Sequence, residues 1–417
     1  MRAEIDKRAM AALSSGHLAV DFAGGAVPAL LPFLVDRFEL SYTLAGAVVL
    51  ASTVSSSVIQ PLFGLWSDRR GATWLLPGGV ALAGVGIALA AASPAYALVL
   101  LCVVVSGIGV AAYHPEGSKF AAYVSGRRRA SGMSLFSIGG NIGYAFGPIV
   151  ATPLVLWLGL NGGLLLAVPC LVVAAFLLAS TPFLAGFLPA AQRPVRAERG
   201  PVEGGTGGTG RFPPLQPSRL SAAAPDRAGP MAVLLGVVAL RSVAWFGLVT
   251  FVPLWEVAHG HSKSDANRLL AVMLLAGAFG TVVAGPAADR FGRRTALMLS
   301  LVATPPLILV FVLAGGALGT VALALVGACV IGTFGVTMVM SQEYLPRHIG
   351  MASGLSIGLS IGIGGIAAVA LGALADAVDL RTALYVTAGS AGLAVMLGVL
   401  LPASDVRRPL EPDIVVP

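Results

Sequence analysis

Charge is what this sequence has least of. Only 11% of its 417 residues are Asp, Glu, Lys or Arg, whereas a soluble domain carries about 25% to keep its surface wet. Over such a length, most of the surface must face something other than water. Aromatic residues are also few, at 7%, which argues against a base-stacking surface for nucleic acid. There are three cysteines, Cys102, Cys170 and Cys329, each inside an apolar run and none near another. Neither a disulfide framework nor a metal spacing can be drawn from them, and they read as packing residues. A nucleophile–base set and a phosphate loop are missing too. Glycine-rich runs such as Gly362-x-Gly364-Gly365 fall inside apolar segments rather than after a strand, which argues against dinucleotide binding. The chain is therefore expected to be no enzyme, and to hold no cofactor and no resident metal.

What the sequence has instead is apolar length. It is 57% hydrophobic with 53 glycines, and its mean hydropathy is +0.89. A membrane span needs about 20 mostly apolar residues. Runs of that kind stand at 13–35, 43–66, 73–92, 95–120, 130–157, 162–186, 231–255, 265–288, 295–314, 318–344, 350–375 and 381–402. Met1 to Met10 is a short charged tail, so the first run is expected to remain as a helix rather than be cleaved as a signal peptide. Twelve spans put both ends of the chain on one side. If that side is cytoplasmic, the tails and the loops after even-numbered spans hold 21 Lys and Arg, the opposite side holds four, and Arg241 stays inside a span. The net charge of +7 thus follows the positive-inside rule rather than marking a nucleic-acid surface.

The run of spans is interrupted once. Residues 191–230 contain Gly-Gly-Thr-Gly-Gly-Thr-Gly at 204–210 and Pro213, Pro214, Pro217 and Pro225, a composition that cannot bury enough apolar surface to offset its ordering entropy. The expected organisation is a cytoplasmic tail at 1–12, a six-helix bundle at 13–190, a disordered linker at 191–230, a second bundle at 231–402 and a tail at 403–417. The halves repeat each other. Gly64-x-x-x-Asp68-Arg69 follows the second span and Gly285-x-x-x-Asp289-Arg290 the eighth, 221 positions later. Ala130-Ser-Gly-Met opens the fifth span and Ala352-Ser-Gly-Leu the eleventh, 222 positions later. Six spans per half make the copies parallel, related by an axis along the membrane normal. The fold class is an all-α membrane protein of twelve helices in two six-helix bundles with pseudo-two-fold symmetry.

The duplicated loop continues as Arg70-Gly71 in the first half and Gly292-Arg293-Arg294 in the second. Its glycine is expected to let two helices approach where the hairpin turns, and its Asp to pair with an Arg or face a helix N-terminus. This loop resembles the signature of the major facilitator superfamily. Further segments resemble its fosmidomycin resistance branch: Gln60-Pro61-x-x-Gly64-x-Trp66-x-Asp68, Tyr113-His114-Pro115-Glu116, Gly139-Gly140-Asn141-x-Gly143-x-x-x-Gly147-Pro148, and Gln342-Glu343-x-Leu345-Pro346 continuing to Gly354. His17 and Asp21 also match, with Val20 where that branch is expected to have Asn. Gly143-x-x-x-Gly147-Pro148 resembles the start of the antiporter signature of drug exporters, with Ala151 and Thr152 in place of its next glycines. The resemblance implies a proton-driven exporter of drugs or small polar metabolites.

Polar residues inside the spans carry the rest. Asp21 lies about 12 Å along the first helix at 1.5 Å per residue, where an ionisable group must be paired, hydrated or protonated. His17 is four residues earlier, on the same face, and a His-Asp pair is suited to exchanging a proton. The alternative is that Asp21 is a structural hydrogen-bond acceptor. Arg241, mid-way along the seventh span, cannot shed its charge; it is expected to face the central cavity and to need an anion, either Asp21 or an anionic substrate. Trp245, one turn on, is a candidate wall of that site, and Asn141 and Tyr144 are further substrate-binding candidates. His114 and Glu116 near the end of the fourth span, with Glu343 at the end of the tenth and Arg293 beyond the eighth, are candidates for a cytoplasmic gate, or for plain interfacial ion pairs. Pro115 and Pro346 are expected to end or bend those helices. The expected partners are protons, a small-molecule substrate and the lipid bilayer, with the chain acting as a monomer. The leading function is proton-coupled efflux. Import of an organic anion by symport or facilitation, or a sensor that has lost transport, are the alternatives.

Overall fold

The computed structural model describes residues 4–70, 72–126, 129–188, 225–346 and 349–402, without the side chains of 65, 68–70, 129–131, 349–351, 353 and 354. The described residues are helical almost throughout. The first half contains α1 (Lys7–Phe38), α2 (Tyr42–Arg70), α3 (Leu75–Ala92), α4 (Tyr96–Val124), α5 (Arg129–Leu158) and α6 (Ala167–Ala185). The second contains α7 (Ala228–Ala258), α8 (Lys263–Phe291), α9 (Arg293–Ala314), α10 (Gly316–Gly332), α11 (Phe334–Tyr344), α12 (Ile349–Ala377) and α13 (Leu380–Gly398). Among the described residues, twelve spans are long and apolar enough to cross a membrane, α10 and α11 together making the tenth. Helices answer the central demand of that solvent, since each keeps its backbone hydrogen bonds within itself.

Helix starts follow local side-chain chemistry. Asp6 accepts from the Ala9 amide at 3.0 Å ahead of α1, Ser262 from the Asp265 amide at 3.1 Å ahead of α8, and Asp379 from the Thr382 amide at 2.6 Å ahead of α13. Each satisfies one of the donors that a helix N-terminus leaves open. The first helix begins at Lys7, so part of the expected tail is helical. Most of the expected linker, like the C-terminal tail, lies outside the described residues. Pro115 does not end its helix: α4 runs through it to Val124, leaving His114 and Glu116 about two to three turns inside. The interruption falls instead at Thr333, between α10 and α11, which the apolar pattern does not mark.

The two halves pack alike: α1 lies on α5 as α7 lies on α12, α3 on α4 as α9 on α10, and α2 on α4 as α8 on α10. Small residues make the α1–α5 seam. A Cβ at Gly143 would fall 2.0 Å from the Leu18 carbonyl oxygen, and one at Gly147 would fall 2.2 Å from the Gly25 carbonyl carbon, so no larger residue fits without parting the helices. The halves meet through α2 against α12 and α5 against α8. Their polar contacts concentrate at the end remote from the termini. There Lys263 pairs with Asp36, and Asp376 at the end of α12 accepts from the Tyr42 and Thr43 amides at 2.7 and 2.8 Å. Deeper in, Asn267 donates to the Ala29 carbonyl at 2.8 Å and Asn141 to the Thr281 hydroxyl at 3.1 Å. Nearer the termini, Val58 and Leu62 on α2 and Phe279 and Val282 on α8 are exposed. Gly358 and Gly362 on α12 there face open space.

Candidate functional site

The residues with most chemistry gather on α1, α4 and α5. Asp21 Oδ2 lies 3.3 Å from His17 Nε2, one turn earlier on α1. Its other oxygen, Oδ1, lies 3.1 Å from His114 Nε2 on α4. His17 Nδ1 is 2.8 Å from the Phe136 carbonyl oxygen on α5. A carbonyl only accepts, so that contact assigns the proton to Nδ1. His17 also stacks on Phe136, with ring centroids 4.1 Å apart, and lies edge-on to His114 at 5.0 Å. Tyr113 underpins the group, its hydroxyl donating to the Leu13 carbonyl. Gly140 forms the wall on the α5 side: a Cβ there would fall 2.5 Å from both Asp21 Oδ2 and His17 Nε2.

This arrangement counts protons. With Nδ1 of His17 committed to Phe136, its Nε2 meets Asp21 at 3.3 Å. Two lone pairs at that distance repel, so a proton must stand between them. Either His17 is an imidazolium against a carboxylate, or Asp21 is the neutral acid. The His114–Asp21 contact needs a further N–H. The first proton is the one this triad can give up: losing it breaks the His17–Asp21 contact within α1, while the N–H of a neutral imidazole suffices for the His114 contact that ties α1 to α4. The three side chains are not sealed: those of Asp21 and His114 are each 23% exposed.

Sequence placed His17 and Asp21 together, and the structure does likewise. It moves His114, however, out of the expected gate and into this triad. The two partners are 93 residues apart, and only the register of α4 against α1 brings them together. Glu116, fully buried, binds Lys119 Nζ at 2.8 Å and the Ser67 hydroxyl; its Oε1 has no partner among the described residues. That cluster joins α2 to α4 inside one half. Glu343 likewise pairs with Arg293 of α9 inside the other half. Neither pair bridges the halves. The loop glycines are not held by close approach: Pro115 is 3.6 Å from a Cβ position at Gly64, an ordinary contact, and Gly285 faces open space. Asp289 and Arg290 are exposed, while the side chains of Asp68 and Arg69 lie outside the described residues.

Arg241 does not meet Asp21. It is 4% exposed, and its two terminal nitrogens donate to the hydroxyls of Thr333 and Thr337, at 3.3 and 3.2 Å. Thr333 is the break between α10 and α11, and its hydroxyl also lies 3.2 Å from Ser300. Among the described residues no carboxylate pairs with Arg241, so a full buried charge is met by neutral hydroxyls. Trp245 is buried one turn on. The Tyr144 ring rests on α1 at Gly24, 3.4 Å from a Cβ position there. Asn141 serves as a tie between the halves. A cavity of about 350 Å³ between the start of α2, the end of α7 and the start of α13 is lined by residues such as Tyr42, Trp255 and Arg381, and holds none of the expected site residues.

The model of the Major Facilitator Superfamily matches residues 13–356 and 234–413. The chain belongs to the major facilitator superfamily. It is a multi-pass membrane transporter and not an enzyme. It is 31% identical over 394 residues to an uncharacterized transporter of this superfamily, YfnC of Bacillus subtilis, covering 94% of this chain and 92% of that one. It is 28% identical, with the same coverage, to the fosmidomycin resistance protein of Escherichia coli. Among solved superfamily structures, a bacterial homologue of the lysosomal transporter Spinster, inward-facing and occupied, superposes with TM-score 0.71 at 16% identity over 96% of this chain and 97% of that one. The transporter FucP in its outward conformation superposes with TM-score 0.63 at 16% identity, over 95% and 99%.

Proposed function

We propose that this superfamily member is a proton-coupled exporter of small anionic compounds, with the His17–Asp21–His114 triad as its proton site and Arg241 as its anion anchor. The observation that carries the reading is the proton count of the triad: its two contacts at 3.3 and 3.1 Å exist only while protons occupy them. A proton gained or lost between His17 and Asp21 changes the charge of the carboxylate that His114 of α4 holds, so protonation bears on the packing of α1 on α4, the kind of two-state element through which a bound ligand shifts a conformational equilibrium. Arg241 supports an anionic substrate, because a buried cation met among the described residues by two hydroxyls gains most from an entering phosphonate, phosphate or carboxylate. The name of the fosmidomycin resistance relative points the same way, fosmidomycin being an anionic phosphonate.

In this reading the protein sits in the cell membrane with the end bearing the termini facing the cytoplasm, an orientation favoured by the 21 Lys and Arg on that side. The exposed faces of α2 and α8 near that end then belong to an inward-open entrance, and the Asp36–Lys263 and Asp376 contacts close the outer side. A substrate enters towards Arg241 from the cytoplasm, the halves rock about the middle contacts, and a proton taken up by the triad from outside resets the cycle. Everted membrane vesicles loaded with the dye of a pH probe test this. Adding fosmidomycin should dissipate an imposed pH gradient, and Asp21→Asn should abolish that response while the protein still inserts. Dissipation by Asp21→Asn at the parental rate would remove the triad from coupling.

A further inference from the structure

The triad has a second chemistry that sequence spacing does not reveal, because its members come from positions 17, 21 and 114. We propose that His17, Asp21 and His114 bind a divalent transition-metal ion of the zinc type, which occupies the triad in place of its protons. One nitrogen of each imidazole and a carboxylate oxygen lie within 4.8 Å of one another. A tetrahedral zinc site with bonds of about 2.0–2.2 Å places its ligand atoms about 3.3–3.5 Å apart. The triad's Nε2-to-oxygen separations, each to its own oxygen of Asp21, are 3.3 and 3.1 Å, so the donors need only close from within 4.8 Å onto one ion.

The surroundings fit the same chemistry. His17 gives its Nδ1 proton to the Phe136 carbonyl at 2.8 Å; this is the outer contact that metal-bound imidazoles commonly make, and it turns the Nε2 lone pair towards Asp21. Two nitrogen donors and one carboxylate favour zinc, cobalt or nickel over magnesium or calcium, which prefer all-oxygen shells. Gly140 brings no side chain to its face of the triad. Three protein ligands leave a fourth position for water, and the partial exposure of Asp21 and His114 gives an ion a way in. Because the ion needs deprotonated imidazoles, it competes with protons, and a bound ion would hold α1 and α4 together with the proton cycle stopped.

The inference shares its residues with the coupling reading but is measured without transport. Purified full-length protein in detergent is titrated with Co²⁺, which absorbs visibly when bound tetrahedrally, and then with Zn²⁺. The expected result is one Co²⁺ per chain, bleached by Zn²⁺ and lost as pH falls. Asp21→Asn and His114→Gln should each weaken binding at least tenfold, with circular dichroism and gel filtration confirming the fold. His261→Gln, which alters the surface pair of His261 with Glu256, should leave it unchanged. Equal Co²⁺ binding by the parent and both triad variants, or loss of the signal only in His261→Gln, would overturn the proposal. Metal binding by the parent that the triad variants lose, together with normal transport by Asp21→Asn, would spare this inference and remove the coupling one. Coupling without any metal signal would do the reverse.

Discussion

Asp376 gives the sharpest handle on how the two halves separate. It stands at the end of α12 in the second half, yet it caps α2 in the first, accepting from the Tyr42 and Thr43 amides and the Thr43 hydroxyl. Removing an N-terminal cap costs about 0.5–2 kcal/mol, and losing a negative charge at a helix N-terminus costs about 0.3–1 kcal/mol more. These contacts are exposed, so the lower parts of both ranges apply. Asp376→Ala should therefore weaken closure at this end by about 1 kcal/mol, which is about a fivefold change in the ratio of closed to open forms. The other cross-half contact at this end, the ion pair of Lys263 with Asp36, is partly exposed and contributes at most about 1 kcal/mol. Spin labels at Glu39 and His261, both exposed beside this seam, would report the ratio by pulsed electron resonance after the three native cysteines are replaced. The longer-distance population should grow about fivefold in Asp376→Ala and less in Asp376→Asn, which keeps an acceptor but not the charge. A distance distribution in Asp376→Ala that matches the parent, or a larger shift from Lys263→Ala, would refute the reasoning.

Three other substitutions probe the interior. Gly140→Ala sets a methyl 2.5 Å from both Asp21 Oδ2 and His17 Nε2; overpacking of this kind costs about 1–3 kcal/mol, visible as a lower melting temperature in detergent and a displaced pH profile of transport. Lys119→Ala strands Glu116, which is fully buried, and should destabilise by about 3–5 kcal/mol as a broken buried pair does; Lys119→Met with Glu116→Leu should recover most of it, and a single variant as stable as the double would refute the pairing. Arg241→Met should weaken binding of fosmidomycin at least tenfold in an equilibrium binding assay, and Arg241→Lys should weaken it less, because the ammonium keeps the charge but loses the fork that spans Thr333 and Thr337. Unchanged affinity in Arg241→Met would exclude an anion anchor there.

Hydropathy and charge made the architecture legible. Twelve apolar runs each needed a helix because lipid offers the backbone no partners; the partner of the glycines at 139, 143 and 147, which pack on α1, came only from the structure. His17 and Asp21 were legible because four residues on a helix share a face. His114 was not, since its partner lies on another helix and nothing local distinguishes an imidazole aimed at Asp21 from one aimed at an interface. The same limit explains Glu116 and Glu343. Glu116 takes Lys119 one turn on in its own helix and Glu343 takes Arg293 of α9, and only the packing shows that neither pair spans the halves. Pro115 misled because a proline inside a long membrane helix is held by its neighbours rather than by its own turn. Thr333 escaped notice because a helix break in the middle of an apolar run has no hydropathy signature.

Duplication sharpens what these contacts share. Carried forward by the repeat offset of 221, Asp21 falls on Ser242, the neighbour of Arg241, and His114 falls on Gly335, between Thr333 and Thr337. The first and fourth spans of each half are thus tied by a buried polar contact at the same place. In the first half that tie is a carboxylate with two imidazoles; in the second it is a guanidinium with two hydroxyls. A duplicated scaffold has kept the position and exchanged the sign. On the proposed reading this divides the labour: the first half takes up a cation, proton or metal, and the second takes up an anion. Each acts on the same helix pair of its own half. The two ligands then need no direct contact to influence each other, because both act on the packing beside one shared seam between α1 and α7. Coupling should therefore survive substitutions that alter the distance between Asp21 and Arg241, and fail with substitutions that loosen either tie.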